Sequence, residues 1–264
     1  MANLHVLAGA SESPDFPAVR KIGFADLRWA LARGVDDFWA MPTHVVFLSI
    51  IYPIVGIMLG RMIYGAGVLP LLFPLAAGFA LIGPFAAIGL YEMSRQRERG
   101  VDATWRDAFA VLHSPSRDAI LALGLLLTVI FLIWMATAQS IYQSLFGYGS
   151  PESVSQFVND VFTTRQGHML MLLGNGVGLL FAILVLTISV VSFPLLLDRD
   201  VGAVVAALTS VRAVAANPVT MAAWGVIVAV LLAIGSLPFF VGLAVVMPIL
   251  AHATWHLYRR VVVA

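Results

Sequence analysis

His252 and His256 stand four apart in Ala251-His252-Ala253-Thr254-Trp255-His256, so on a helix both imidazoles face one side. Two imidazoles at that spacing can share a copper or zinc ion if further ligands converge on them. They cannot clamp a haem between them, because axial ligands come from opposite faces of the ring; a haem needs one of them and a histidine from another helix. His44 and Glu92 are the other candidate ligands, with His113 and Asp198 placed at a similar depth by the topology derived below. The competing reading makes the pair part of an interfacial anchor belt with Trp255 and Tyr258, with Arg259 and Arg260 snorkelling beneath. The belt is the expectation, with no metal, cofactor or catalytic residue assigned.

The elements that position these residues must be membrane helices. Of 264 residues, 61% are hydrophobic and only 11% charged, and mean hydropathy is +0.95. A soluble domain carries about 25% charged residues, so this chain cannot cover itself for water. A net charge of +1 excludes a nucleic-acid reader with a basic footprint. The absence of cysteine excludes disulfides, thiol catalysis and zinc-thiolate or iron–sulfur ligation. No P-loop, Ser/His/Asp grouping or paired carboxylates stand out, so no enzyme is expected. Gly174-Asn175-Gly176-Val177-Gly178 lies inside an apolar stretch and reads as close helix packing, not as a nucleotide loop.

Six spans follow from the apolar runs. The first covers residues 44–60 and stops at Arg61. The second runs from the turn at Gly65–Ala66 to Leu90–Tyr91, with Met93–Gly100 as a polar stop. The third covers 119–140 and runs on towards Phe146. The fourth covers 168–197, which at about 1.5 Å per residue exceeds a ~30 Å hydrocarbon core. Gly235-Ser236-Leu237-Pro238 breaks the last apolar run into spans at 220–234 and 238–256. No ionisable side chain sits at a span centre, which argues against an ion-coupled transporter.

Charge orients the spans. With residues 1–43 as a cytoplasmic segment and 44–260 as the membrane domain, thirteen of the fifteen basic residues fall inside. Only Arg61 and Arg165 fall outside, which is a strong positive-inside bias with both termini cytoplasmic.

Each inner segment carries an apolar stripe followed by a proline. The stripes are Phe24, Leu27, Leu31, Val35 and Phe38; Trp105, Ala108, Phe109 and Leu112; and Val201, Val204, Val205 and Leu208. They predict three interfacial amphipathic helices over residues 24–40, 103–113 and 201–214. Pro42, Pro115 and Pro218 follow them, and Pro84, Pro194 and Pro248 mark the returning spans, suggesting a three-fold hairpin repeat. A periplasmic insertion at 147–167 is expected to hold a short helix with Ser150 as N-cap and Pro151 at its first position.

Three blocks then resemble one family as a whole. They are Phe73 to Gly100, Ser192 to Asp200 with Ala216-Asn217-Pro218, and His252 to Arg260. Together they are similar to an uncharacterised family of bacterial integral membrane proteins known as domain of unknown function 2189, over residues 20–262. The resemblance implies an all-α, polytopic protein of the bacterial inner membrane with no established activity. Some members carry a cytochrome c oxidase subunit label; without mid-membrane histidines, that label implies an accessory subunit at most. The expected function is a non-catalytic scaffold or accessory component of a membrane complex, contacting lipids and possible further membrane subunits. A haem- or metal-binding redox accessory, and a passive channel or carrier for an apolar or lipid-like solute, are the alternatives.

Overall fold

Prolines and polar residues decide where the helices start, break and stop. The computed structural model describes residues 16–41, 70–237 and 240–263. The expected first span lies outside them, and so do Pro42, His44, Arg61, Gly65 and Pro238. Ten α-helices follow in chain order among the described residues: α1 Phe24–Ala40, α2 Leu72–Ala86, α3 Ile88–Glu98, α4 Arg117–Phe146, α5 Val154–Thr163, α6 Arg165–Ser189, α7 Ser192–Asp198, α8 Ala203–Ala216, α9 Pro218–Ser236 and α10 Leu243–Val261. A 3-10 helix, Trp105–His113, stands between α3 and α4. The only β pairing among the described residues is one antiparallel bridge, Val19 to Val262.

Among the described residues four stretches are long and apolar enough to cross a membrane: Leu72–Glu98, Arg117–Phe146, Arg165–Asp198 and Pro218–Ser236. The 30-residue fourth run is not one straight rod. It breaks at Val190–Val191 into α6 and α7, because Pro194 in the first turn of α7 has no amide for the preceding carbonyl ladder. The second run continues past Tyr91 to Glu98, so Met93–Glu98 is helix and not a polar stop. Its polar side chains find protein partners, which removes the reason to leave the helix.

The described chain divides into two units. The first comprises Met1–Tyr52, Pro84–Gly124 and Leu186–Ala264. At its centre α1 packs on α10 through Leu27, Ala30, Gly34, Asp37 and Phe38. Gly34 is required there. A Cβ at that position would lie 2.7 Å from both the Ala253 amide nitrogen and the Ile249 carbonyl oxygen. The extended N-terminal segment is stitched to the same helix, Arg20 N donating to Val261 O at 2.9 Å and Val263 N, just past its end, to Ala18 O at 3.0 Å. Asn217 clamps it from α8's end, accepting from Ile22 N at 2.8 Å and donating to Arg20 O at 3.1 Å.

The buried faces differ from the expected stripes. On α1 only Leu27 and Phe38 of the predicted stripe are buried, while Phe24 and Val35 stay exposed. On the 3-10 helix Phe109 and Leu112 are exposed and Val111 is buried. On α8 the buried side is Ala203, Val205, Ala206, Thr209, Ser210 and Ala213, and Val204 and Leu208 face out. Small and polar residues make these internal contacts because they allow close approach and find hydrogen-bond partners.

The second unit comprises Pro53–Gly83 and Leu125–Val185. Trp134 organises it: its indole Nε1 donates to Pro74 O at 2.9 Å and its ring meets Phe181 at 5.5 Å. Of the glycine cluster only Gly178 packs closely, under the Trp134 ring; Gly174 and Gly176 face open space. Helix α5 starts three residues later than expected. Ser153, not Ser150, is its N-cap, the hydroxyl accepting from Gln156 N at 3.1 Å. Phe157 rests on Tyr142 at 6.2 Å, whereas Val154, Val158 and Phe162 remain exposed.

Candidate functional site

Three helices of the first unit converge on one carboxylate. Asp37 comes from the last turn of α1, Ser94 and Arg97 from α3, and His252 and His256 from α10. Asp37 Oδ2 accepts from Ser94 Oγ at 2.6 Å and from His256 Nε2 at 2.8 Å, and Oδ1 accepts from the Arg97 guanidinium. Asp37 is 1% exposed and His252 is 0% exposed. Burial alone would raise the Asp37 carboxyl; hydrogen bonds from His256, Ser94 and Arg97 outweigh it and hold it down at about 2.

An ionised carboxylate has no proton to give, and that orders the network. His256 must present Nε2–H to it. Ser94 must spend its single proton on it, so Ser94 Oγ accepts from Nδ1–H of His252, 2.7 Å away. The far nitrogen of His252, Nε2, is then a bare acceptor, without a hydrogen-bond partner among the described residues. Trp29 closes the outer side, its ring meeting His256 edge-on at 5.8 Å with the Arg260 guanidinium over it at 4.8 Å.

This is not a nucleophilic relay. In such a relay an imidazole takes the serine proton and the acid orients the imidazole. Here the serine proton points at the acid, and Ser94 is 1% exposed. The arrangement joins three helices by charge-assisted hydrogen bonds around one paired carboxylate.

A second layer extends it. Tyr258 donates to Asp198 Oδ2 at 2.7 Å, and Arg259 reaches the same oxygen at 3.3 Å. Glu98 accepts from Arg259 Nε and from Trp255 Nε1, both at 3.1 Å. Arg260 Nε donates to Asp26 at 2.7 Å, and that carboxylate also accepts from Gly23 N at 2.9 Å. The amide bond and the guanidinium lower the Asp26 carboxyl against a smaller opposing effect of burial.

The histidines are therefore interior, which corrects the anchor-belt expectation. His252, His256, Trp255 and Tyr258 are all buried, because α1 and α3 cover the face of α10 that the belt reading gives to lipid headgroups. Glu92 does not join them. It pairs with Arg95 at 2.9 Å, accepts from Gln96, and lines a cavity of about 280 Å³ with His113, Ser114, Ser116, Asp198 and Asp200. His44 lies outside the described residues. Among the described residues no group of three or more His, Cys, Asp or Glu has an arrangement that could hold a metal ion.

Asp37 and Ser94 are the residues that sequence reasoning missed. The signal for Asp37 was its place: three residues after Gly34 and seven after Ala30, an acid on the face that packs. Ser94 sits in what reads as a solvent-facing polar stop and carried no signal.

Comparison with known proteins agrees with the architecture. The model of a family described as a predicted integral membrane protein (DUF2189) matches residues 72–198, a narrower stretch than the three blocks of resemblance cover. No curated protein and no solved structure matches the chain.

Proposed function

We propose that this chain, an integral membrane protein bearing the DUF2189 pattern over residues 72–198, is a non-catalytic scaffold or accessory component of a bacterial inner-membrane complex. One observation carries the reading. The buried Asp37 carboxylate spends both oxygens on Ser94, Arg97 and His256 and so ties three helices together. A working catalytic or transport site keeps such groups facing a ligand path.

The membrane arrangement we propose has six spans, both termini in the cytoplasm, and three interfacial helices arranged as a three-fold repeat of helix plus hairpin. Support comes from the exposed apolar residues of α1, the 3-10 helix and α8. Phe24, Val35, Leu112, Val204 and Leu208 are exposed, and the edge of a bilayer accommodates such residues.

The test is mild extraction from native membranes, followed by native mass measurement and identification of what co-purifies at fixed stoichiometry. The expected result is a complex with other membrane subunits. A monomer carrying a haem absorbance band or stoichiometric metal would overturn it in favour of a redox role. A monomer that passes an apolar solute in proteoliposomes would make it a carrier.

A further inference from the structure

We propose that the outward face of α1 binds the headgroups of an anionic lipid layer, an inference that rests on the interfacial reading of that helix. At 100° per residue, Phe24, Arg28, Val35 and Trp39 fall on one side of the helix, and Lys21 stands three residues before its start on the extended approach. Phe24 is 63% exposed and Trp39 is 79% exposed. Lys21 and Arg28 are exposed too, and neither makes an ion pair with the described residues. The opposite side of α1 is committed: Asp26 holds Arg260, Asp37 holds His256, and Gly34 sits against Ala253. Asp26 and Asp37 thus point away from the outward face; the exposed Asp36 at its margin is paired with Arg33 at 3.7 Å, which leaves the positive excess to Lys21 and Arg28.

That combination fits one occupant. An aromatic ring with an apolar body and polar edge is at home at headgroup depth. A lysine and an arginine beside it meet phosphate oxygens there, in the negative potential of an anionic leaflet. A purely zwitterionic surface would take the rings and give the two cations no net attraction. A soluble acidic protein would match the cations but leave Phe24 and Trp39 in a polar interface.

The chain has no cysteine, so one introduced thiol reports this face cleanly. Val35→Cys would be placed in the full-length protein, reconstituted in nanodiscs of phosphatidylcholine alone or mixed with phosphatidylglycerol. The rate of labelling by a charged maleimide would be compared with the rate in detergent. Protection is expected in the phosphatidylglycerol discs and much less in phosphatidylcholine alone, and it should weaken at high salt. Lys21→Gln and Arg28→Gln should each reduce the preference for phosphatidylglycerol about fivefold. Equal protection in both discs, unchanged in the double variant, would overturn anionic recognition while leaving α1 at the interface. Rapid labelling in both discs would overturn the interfacial placement and this inference together.

Discussion

Asp37 and His256 are 219 residues apart in the chain and 2.8 Å apart in the fold, with Nε2 of the imidazole donating to Oδ2 of the carboxylate. The bond spans α1 and α10, and Gly34, one turn earlier on α1, lets the two helices come close enough to make it. An ordering of the whole cluster follows: the carboxylate accepts hydrogen bonds from His256, Ser94 and Arg97, and its charge holds three helices in one register.

Asp37→Asn should destabilise the protein by about 2–3 kcal/mol, since it takes the charged acceptor away from two buried donors, Ser94 and His256. Thermal unfolding in detergent, followed by near-ultraviolet circular dichroism, measures this. Asp36→Asn is the control. Its ion pair with Arg33 is 3.7 Å long and solvent-exposed, so the change should be within about 0.5 kcal/mol. Equal effects of the two substitutions would refute the central role given to Asp37.

Acid should release the same cluster in a defined window. The Asp37 carboxyl titrates lower in the folded protein, at about 2, than the ordinary carboxylate value of 3.8. Its contribution is therefore complete above about pH 4 and lost as pH falls through 2. A stability–pH profile of the wild type should drop over that interval, and Asp37→Asn should flatten the drop. A wild-type curve that is level from pH 4 to pH 2 contradicts the assignment.

Gly34→Ala should cost about 1–3 kcal/mol, because the new methyl meets main-chain atoms of Ala253 and Ile249 and cannot rotate away. Trypsin should also cut faster at Arg28 and Arg33 as α1 loosens. Gly23→Ala, where nothing lies within 4 Å, should change stability little. Unaltered trypsin susceptibility in Gly34→Ala would mean that α1 docks without this contact.

Reporter fusions test the six-span arrangement. Fusions after Gly65, Gly147 and Ser236 should report the periplasm, and fusions after Gly100, Val201 and Ala264 the cytoplasm. A periplasmic signal at Ala264 would remove the sixth span and the hairpin repeat with it.

Composition and periodicity alone determined that this is a helical membrane protein. An 11% charged chain with uninterrupted apolar runs of about twenty residues satisfies its backbone in lipid as helices, since barrel strands would alternate apolar with polar residues. The positions of α4, α9 and the segments at 24–40 and 201–214 were legible for the same reason, since apolar runs and prolines act locally. The i, i+4 spacing of His252 and His256 was legible too, and so was the fact that both rings share one side.

What that side meets was decided only by tertiary structure. An interfacial histidine and a buried one look the same in sequence, because the difference is whether another helix covers it. Here α1 does, and it brings an acid that pattern reading counts as surface. Ser94 and Arg97 likewise read as part of a polar stop until α3 is seen to continue alongside α10. Buried polar networks depend on pairings across distant segments, and hydropathy, which scores each residue singly, carries no record of its partner.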